Sequence, residues 1–372
     1  MTDSLYNFAA RLREFIAATA GRFGAASPLH AQDEVAFATL ALELFALQFA
    51  HNPAYRKICE ARGVALATVT HWTQIPAVPT AAFKELELTC LAPEQRTAVF
   101  HSSGTTEQRP SRHFHCAESL ALYETSARGF FNAHYAPELR PLILTPPPEQ
   151  TPHSSLVHMF EMIRRDRNQP ASAFVGALAA DGSWVLNLER AQADLAQAIC
   201  DDTPLLLLGT AFSFVHLLDA LAEQNLKFRL PTGSRVMETG GYKGRSRTLP
   251  KAELHALISD RLGVPPAHIG CEYGMSELSS QAYDTGKLGE PTYGERSFHF
   301  PPWARAQLIS PETGRAVAVG ETGLIRIVDL ANAVSVLAIQ TEDLGVRHPG
   351  GFKLLGRAQL AESRGCSLMP AA

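Results

Sequence analysis

The stretch Ala98-Val99-Phe100-His101-Ser102-Ser103-Gly104-Thr105-Thr106 runs an apolar strand into a loop of hydroxyl and glycine residues. Nothing larger than threonine blocks approach to such a loop, so its N–H and O–H donors can wrap an oligophosphate. Residues 102–106 are therefore a candidate ATP site. Taken alone, a Ser/Thr/Gly cluster behind a strand is more often an ordinary turn, and no G-K-[ST] follows at the spacing of a Walker A loop. The later segments change the weighing. Gly240-Gly241 follows the strand-like Ser234-Arg235-Val236-Met237, and Glu272-Tyr273-Gly274-Met275-Ser276-Glu277 follows Ile269-Gly270-Cys271. Thr341-Glu342-Asp343 follows the apolar run Val334 to Gln340, and Gly356-Arg357 follows Gly351-Phe352-Lys353-Leu354-Leu355. Loops that each stand behind a strand, in this sequence, form an ordered set rather than a chance cluster.

In that order and spacing the chain resembles the adenylate-forming superfamily of acyl-CoA synthetases, luciferases and peptide-synthetase adenylation domains, from about Phe100 to Leu368. Residues 102–106 resemble its phosphate loop, Glu272 to Glu277 its aromatic-Gly-x-[Ser/Thr]-Glu segment, and Asp343 and Arg357 its two ribose-contacting positions. The tail Arg364-Gly365-Cys366-Ser367-Leu368, with Glu238-Thr239-Gly240-Gly241-Tyr242-Lys243, resembles the acyl-protein synthetase (LuxE-type) branch, the fatty-acid-activating subunit of bacterial fatty-acid reductase complexes. In most of the superfamily a mobile C-terminal domain follows the Gly-Arg pair and supplies a catalytic lysine. Only a short run follows Arg357 here, so the resemblance implies that this domain is absent, as suits the acyl-protein synthetase branch.

Bulk properties agree with a small soluble substrate or a protein partner. Of 372 residues, 46% are hydrophobic, enough for a sizeable core, while 33 Lys and Arg against 37 Asp and Glu give a net charge of −4. No basic field advertises nucleic acid or an anionic membrane. The N-terminus carries Asp3 rather than a basic leader, and no apolar run approaches the roughly 18 residues of a spanning helix, so no stable membrane insertion and a cytoplasmic location are expected. The six cysteines lack any C-x-x-C pair, which argues for free thiols over a disulfide framework or a zinc site.

Three segments are expected: a helical N-terminal segment packed on the core over residues 1–95, an adenylate-forming core over 96–350, and a hinge-like tail with an acceptor cysteine over 351–372. Ser4 to Thr19 and Asp33 to Ala50 read as helices, with Val35, Leu42, Phe45 and Phe49 at helical spacing. Asn52-Pro53 closes the second, and Ile75-Pro76-Ala77-Val78-Pro79 reads as a stiff link. Beyond Thr97 short apolar strands (Pro141 to Leu144, Leu205 to Leu208, Val236, Ile269, Leu324 to Val328, Val334 to Ile339) alternate with helical stretches such as Phe212 to Ala222. That pattern predicts an α/β fold with layered sheets covered on both faces. Pro311-Glu312-Thr313-Gly314 reads as a hairpin turn in a β-rich last quarter.

Activating a carboxylate with ATP needs a phosphate cradle, charge neutralisation at the α-phosphate and an in-line carboxylate. Ser102, Ser103, Gly104, Thr105 and Thr106 would supply the cradle. Glu277 suits Mg²⁺, which prefers a carboxylate with phosphate oxygens, and Ser276 beside it could donate to the α-phosphate. The superfamily loop usually ends Gly-x-Pro-Lys; here it continues Glu107-Gln108-Arg109-Pro110-Ser111-Arg112, so Arg109 or Arg112 would stand in for the lysine. Gly240 and Gly241 would let the backbone approach adenine, with Glu272 and Gly274 in the same nucleotide-binding set and Tyr273 stacking on the base. Asp343 would accept the ribose hydroxyls from a strand-end loop, with Arg357 in the same pocket. His153 and His158 lie where the superfamily often has an aromatic or histidine near the carboxylate, and His158 is taken as the catalytic candidate. Cys366, flanked by Gly365 and Arg364, is the expected acyl acceptor, since a neighbouring cation favours the thiolate.

The resemblance implies an ATP- and Mg²⁺-dependent ligase that converts a fatty acid to an acyl-adenylate, passes the acyl group to Cys366 and delivers it to an acyl reductase. Two alternatives stay open: a phenylacetate-CoA-ligase-like enzyme that uses coenzyme A, and a nucleotide-binding subunit without chemistry. Oligomerisation is left open, and no nucleic-acid partner is expected.

Overall fold

The run Leu205 to Leu208 is apolar at every position because both faces of its strand are covered. In the computed structural model, which describes residues 1–20, 31–102, 109–240, 249–284 and 296–358, strand Leu205–Thr210 lies inside a five-stranded sheet. The order is Ala282–Tyr283, Ile269–Tyr273, Arg235–Thr239, Leu205–Thr210, Arg140–Ile143. The last four strands are mutually parallel, and Ala282–Tyr283 pairs antiparallel at the edge. Alternate side chains go to opposite faces. Leu205, Leu207, Val236 and Ile269 pack with Leu195, Phe214 and Ile258 of the helices Leu188–Cys200, Ala211–Glu223 and Lys251–Leu262. Leu206, Leu208 and Met237 join the larger core with Tyr123, Phe130 and Phe160 of the helices Ala117–Phe131 and Ser155–Asp166. The fold is α/β, as the sequence pattern predicts, and the C-terminal ends of the parallel strands gather their loops along one edge.

A second five-stranded sheet holds the C-terminal part. Its order is Val78–Pro79, Ala338–His348, Thr322–Asp329, Ala304–Ile309, with Gly351–Arg357 also paired to Ala338–His348. The turn expected at Pro311 to Gly314 is present: Gly314 takes φ +68°, its N–H donates to Ser310 O at 2.9 Å, and Ile309 bridges Ala316. The link around Val78 is itself a strand, parallel to Ile339 and Gln340. It therefore carries the N-terminal segment into this sheet.

Three local expectations change. The strand expected over Val334 to Ile339 runs instead from Ala338 to His348, and the buried apolar residues Val334, Val336 and Leu337 lie before it in irregular backbone. Tertiary partners supply the hydrogen bonds that a ladder would have given. Gln48 Nε2 donates to Asn332 O (2.8 Å), Gln48 Oε1 accepts from Leu337 N (2.9 Å), and Asn52 Nδ2 donates to Ser335 O (3.1 Å). Second, the core face of the helix Ala31–His51 is Phe37, Ala41, Leu44, Phe45 and Gln48, while Val35 is 67% exposed. Its stretch Gln32–His51 is long and apolar enough to cross a membrane by length and composition, contrary to the expectation that no run reaches that length. Here one face of it packs on the core, and its buried Gln48 is bonded to the loop before the strand Ala338–His348. Third, Asn52-Pro53 both closes that helix and opens another, Pro53–Ala61, because Asn52 Oδ1 caps Tyr55 N at 3.0 Å and proline fits the first turn.

Candidate active site

A cleft of about 710 Å³ opens where the loops of the parallel sheet face the second sheet. It is lined by Ser102, Gly240, Glu272, Gly274, Ser276, Glu277, Asp343 and Arg357, candidates scattered over much of the chain. Ser103, Gly104, Thr105, Thr106, Gly241 and Cys366 lie outside the described residues.

Each wall has a local cause. Glu272 ends the strand Ile269–Tyr273 with its side chain toward the cleft, 6% exposed, and accepts from the Thr239 hydroxyl across the parallel pair. Burial pushes its carboxyl up to about 7. Gly274, two residues later, leaves room for the Glu272 carboxylate, which an added Cβ would force to shift. Gly240 takes φ +71° as the neighbouring strand turns out of the sheet, a conformation that favours glycine. The following loop is nailed down from beneath. Asp329, fully buried, accepts from Ser279 N (2.9 Å) and Ser280 Oγ (2.7 Å), and Asn332 Nδ2 donates to Glu277 O at 2.9 Å. Burial raises the Asp329 carboxyl to about 6. Ser276 Oγ in turn donates to Glu277 Oε2 at 3.0 Å, so hydroxyl and carboxylate present a joint face.

The strand pair Ala98–His101 and Arg112–His115 brings the phosphate-loop candidate to this loop. Ser102 Oγ accepts from Ser111 N (3.0 Å), Ser111 Oγ lies 3.4 Å from Ser276 Oγ, and His113 Nδ1 lies 2.9 Å from Ser276 O. Burial lowers the His113 imidazole to about 4, which keeps it neutral.

Asp343 sits within the strand Ala338–His348, not on the strand-end loop expected for it. It pairs in register with Arg357, and Arg357 Nε lies 3.8 Å from Asp343 Oδ1. Burial raises the Asp343 carboxyl, against the Tyr273 hydroxyl, which donates to Oδ2 at 2.8 Å.

Three expected positions differ. Tyr273 does not line the cleft; its ring is enclosed by Phe298, Phe300 and Phe352, so it orients Asp343 rather than presenting a face to a base. His158 also lies behind the wall. Its Nε2 is 3.2 Å from Glu124 Oε1, and His158 with Arg165 holds that carboxyl down at about 2. The histidines that do line the cleft are His101 and His153, with ring centroids 4.5 Å apart. Position on the helix Ser155–Asp166 decides this, since His153 precedes the first turn and His158 lies within it. Arg109 is exposed and outside the cleft lining, and Arg112 is held by Glu87 at 3.6 Å and by the Phe114 ring.

Other lining residues carried no sequence signal. Tyr123 OH donates to Ser155 O (3.1 Å), Gln281 stands beside it (3.4 Å), and Trp184 projects from the small hairpin Gly176–Leu178 and Trp184–Leu186. Thr80 and Lys84 arrive from the N-terminal segment. Their one hint was the extended run before Thr80, which has the composition of a strand that pairs elsewhere.

The family model described as Acyl-protein synthetase, LuxE, matches residues 26–371. A long-chain-fatty-acid–luciferin-component ligase of Aliivibrio fischeri is 23% identical over 346 residues, covering 88% of this chain and 86% of the relative. The protein of the same description from Vibrio harveyi is 23% identical over 333 residues, covering 86% and 82%. Among solved structures, 2-hydroxyisobutyryl-CoA ligase in the postadenylation state with 2-HIB-AMP superposes with a TM-score of 0.63 at 14% identity, over 88% of this chain and 68% of that one. That likeness establishes a shared fold.

Proposed function

The chain belongs to the LuxE acyl-protein synthetase family, and from that premise we propose that it activates a fatty acid with ATP and carries the acyl group on Cys366. It is an adenylate-forming acid–thiol ligase. In the first step a carboxylate oxygen of the acid attacks the α-phosphorus, the bond to the β-phosphate oxygen breaks, and pyrophosphate leaves with that electron pair. In the second the Cys366 thiolate attacks the acyl carbonyl and AMP leaves, forming a thioester that an acyl reductase would consume.

The observation that carries this reading is the convergence of Ser102, Gly240, Glu272, Gly274, Ser276, Glu277, Asp343 and Arg357 on one cleft. The residues divide the work. Ser102 and its loop hold the outer phosphates; Ser276 donates to the α-phosphate; Asp343, fixed by Tyr273, accepts the ribose hydroxyls. His153, on the lining, would meet the carboxylate of the acid. An ATP-bound Mg²⁺ fits the donor set, since the Glu277 carboxylate lines the cleft beside the Ser276 hydroxyl and Mg²⁺ favours one carboxylate plus phosphate oxygens. When bound it would neutralise charge on the phosphates. The core over residues 96–350, together with Arg357 at the start of the tail, would thus carry adenylation, and Cys366 of the tail would carry transfer.

The described thiols are poor competitors for the acyl group. Burial pushes Cys59 up to about 11, Cys90 up to about 12 and Cys271 well above its ordinary value. A protonated buried thiol is not a nucleophile. Cys200 is exposed but ends the helix Leu188–Cys200, and Cys116 is buried just before the helix Ala117–Phe131; both lie outside the cleft lining.

The test is Cys366→Ser. Acid-dependent exchange of labelled pyrophosphate into ATP should persist, while a hydroxylamine-labile acyl group on the protein disappears, because serine at neutral pH is too weakly ionised to replace a thiolate without a dedicated base. A label that survives the substitution, or release of acyl-CoA in place of acyl-protein, overturns the transfer step. Absence of exchange with every acid overturns the ligase chemistry.

A further inference from the structure

Resting on that reading and deepening it, we propose that Lys84 of the N-terminal segment binds the phosphate chain of the nucleotide. Adenylation places the developing charge on the departing pyrophosphate, so a cation fixed there stabilises the transition state. Arg109 and Arg112, the cations nearest the phosphate loop in sequence, do not line the cleft, and Arg112 is engaged by Glu87 and Phe114. Among the described residues that do line it, Lys84 and Arg357 are the two lysine or arginine side chains. Arg357 stands beside Asp343 at the ribose corner, 3.8 Å away in paired register. Lys84 enters the cleft lining from the N-terminal segment, on the short helix Ala82–Glu85.

The backbone holds it there through both structures that build the site. Val78 and Pro79 pair parallel with Ile339 and Gln340, and Thr80 N donates to Gln340 O at 3.1 Å, immediately before Thr341 to Asp343. The short helix Ala82–Glu85 then begins, and Phe83, fully buried, meets the His113 ring edge-on at 6.3 Å. His113 Nδ1 lies 2.9 Å from Ser276 O, next to Glu277, and its strand pairs with the one that runs into Ser102. Lys84 thus sits one residue from an anchor that touches the wall carrying Ser276 and Glu277. A compact ammonium on a four-carbon stem suits phosphate oxygens as a point charge.

The experiment is equilibrium binding of ATP and of adenosine, with Mg²⁺, to the full chain as wild type, Lys84→Met, Lys84→Gln and Lys84→Arg, each with a thermal melt. Loss of a charge-assisted contact should weaken ATP about ten- to a hundredfold in the neutral variants, with adenosine and melting temperature unchanged and Lys84→Arg recovering most of the loss. Equal ATP affinity in wild type and both neutral variants overturns the assignment. So does joint loss of ATP and adenosine with a lowered melting temperature, which marks a structural role, and so does a wild type that binds no ATP. Lys84-dependent ATP binding without acid-dependent pyrophosphate exchange keeps the assignment and sinks the ligase reading. Normal exchange in wild type and in Lys84→Met does the reverse.

Discussion

Glu238 and Glu272 are buried glutamates on neighbouring parallel strands, pointing to opposite faces of one sheet because Glu272 is in register with Thr239 rather than Glu238. Under the helix Lys251–Leu262, Glu238 meets His255 at 3.2 Å, and nearby Asp284 meets Lys251 at 3.0 Å and Arg296 at 3.6 Å. On the cleft face the partners are of another kind. Glu272 accepts from the Thr239 hydroxyl, Glu277 from the Ser276 hydroxyl and Asp343 from the Tyr273 hydroxyl. On the scaffold side lysine, arginine and imidazole nitrogens close the carboxylates off; on the cleft side a hydroxyl orients each carboxylate, and at Asp343 the exposed Arg357 stands 3.8 Å away as well. At Glu272 and Asp343 the cost appears as carboxyls raised by burial, a mark of sites shaped for chemistry.

The comparison breaks most visibly at Glu277. Glu277→Gln keeps the shape but removes the charge, so exchange at limiting Mg²⁺ should fall about a hundred- to a thousandfold with the melting temperature intact. Unchanged exchange would return Glu277 to the scaffold.

Glu272 offers a pH test. Its folded carboxyl titrates at about 7 against an ordinary 4.5, so the folded state binds the extra proton between those values and stability falls as pH rises through that window. Relative to Glu272→Gln, wild type should lose on the order of 1.4 kcal/mol per pH unit there and run parallel below and above it. Asp329, also raised, contributes to both proteins and cancels in the difference. Denaturant midpoints across the pH series measure this, and parallel curves throughout would mean that Glu272 is not protonated on folding.

The smallest effect belongs to the scaffold side. His255→Ala leaves Glu238 buried without its partner and should cost about 1–3 kcal/mol of stability while the folded protein exchanges pyrophosphate at the wild-type rate. A change in rate with stability unaltered would erase the distinction between the two faces.

Much of the fold was readable because fully apolar short strands between helices have one economical solution, a parallel sheet covered on both sides, and Leu205 to Leu208 adopts it. The misplaced strand before Thr341 shows the limit. Val334, Val336 and Leu337 satisfy the local pattern of a strand, yet Gln48 and Asn52, distant in sequence, bond this backbone into a loop. The site divides in the same way. Ser102 and Gly240 stood out because small residues behind a strand are a local pattern, and Glu272, Gly274, Ser276, Glu277, Asp343 and Arg357 because their order and spacing resemble the adenylate-forming family; all of them line the cleft. Which histidine and which cation enter the cleft was not legible, since that depends on helix phase for His153 and His158 and on a strand pairing between distant segments for Lys84.

By itself, then, the sequence determined the buried parallel strands and what chemistry the loops behind them can carry, since propensity, side-chain period and donor type act over a few residues. Tertiary structure alone decided that Tyr273 supports Asp343 from behind, that His158 belongs to Glu124, and that Lys84 joins a site built mostly from the rest of the chain. Those outcomes depend on strand register and on which polar atoms remain to be satisfied once the core has closed, and both are set by contacts between residues far apart in the chain.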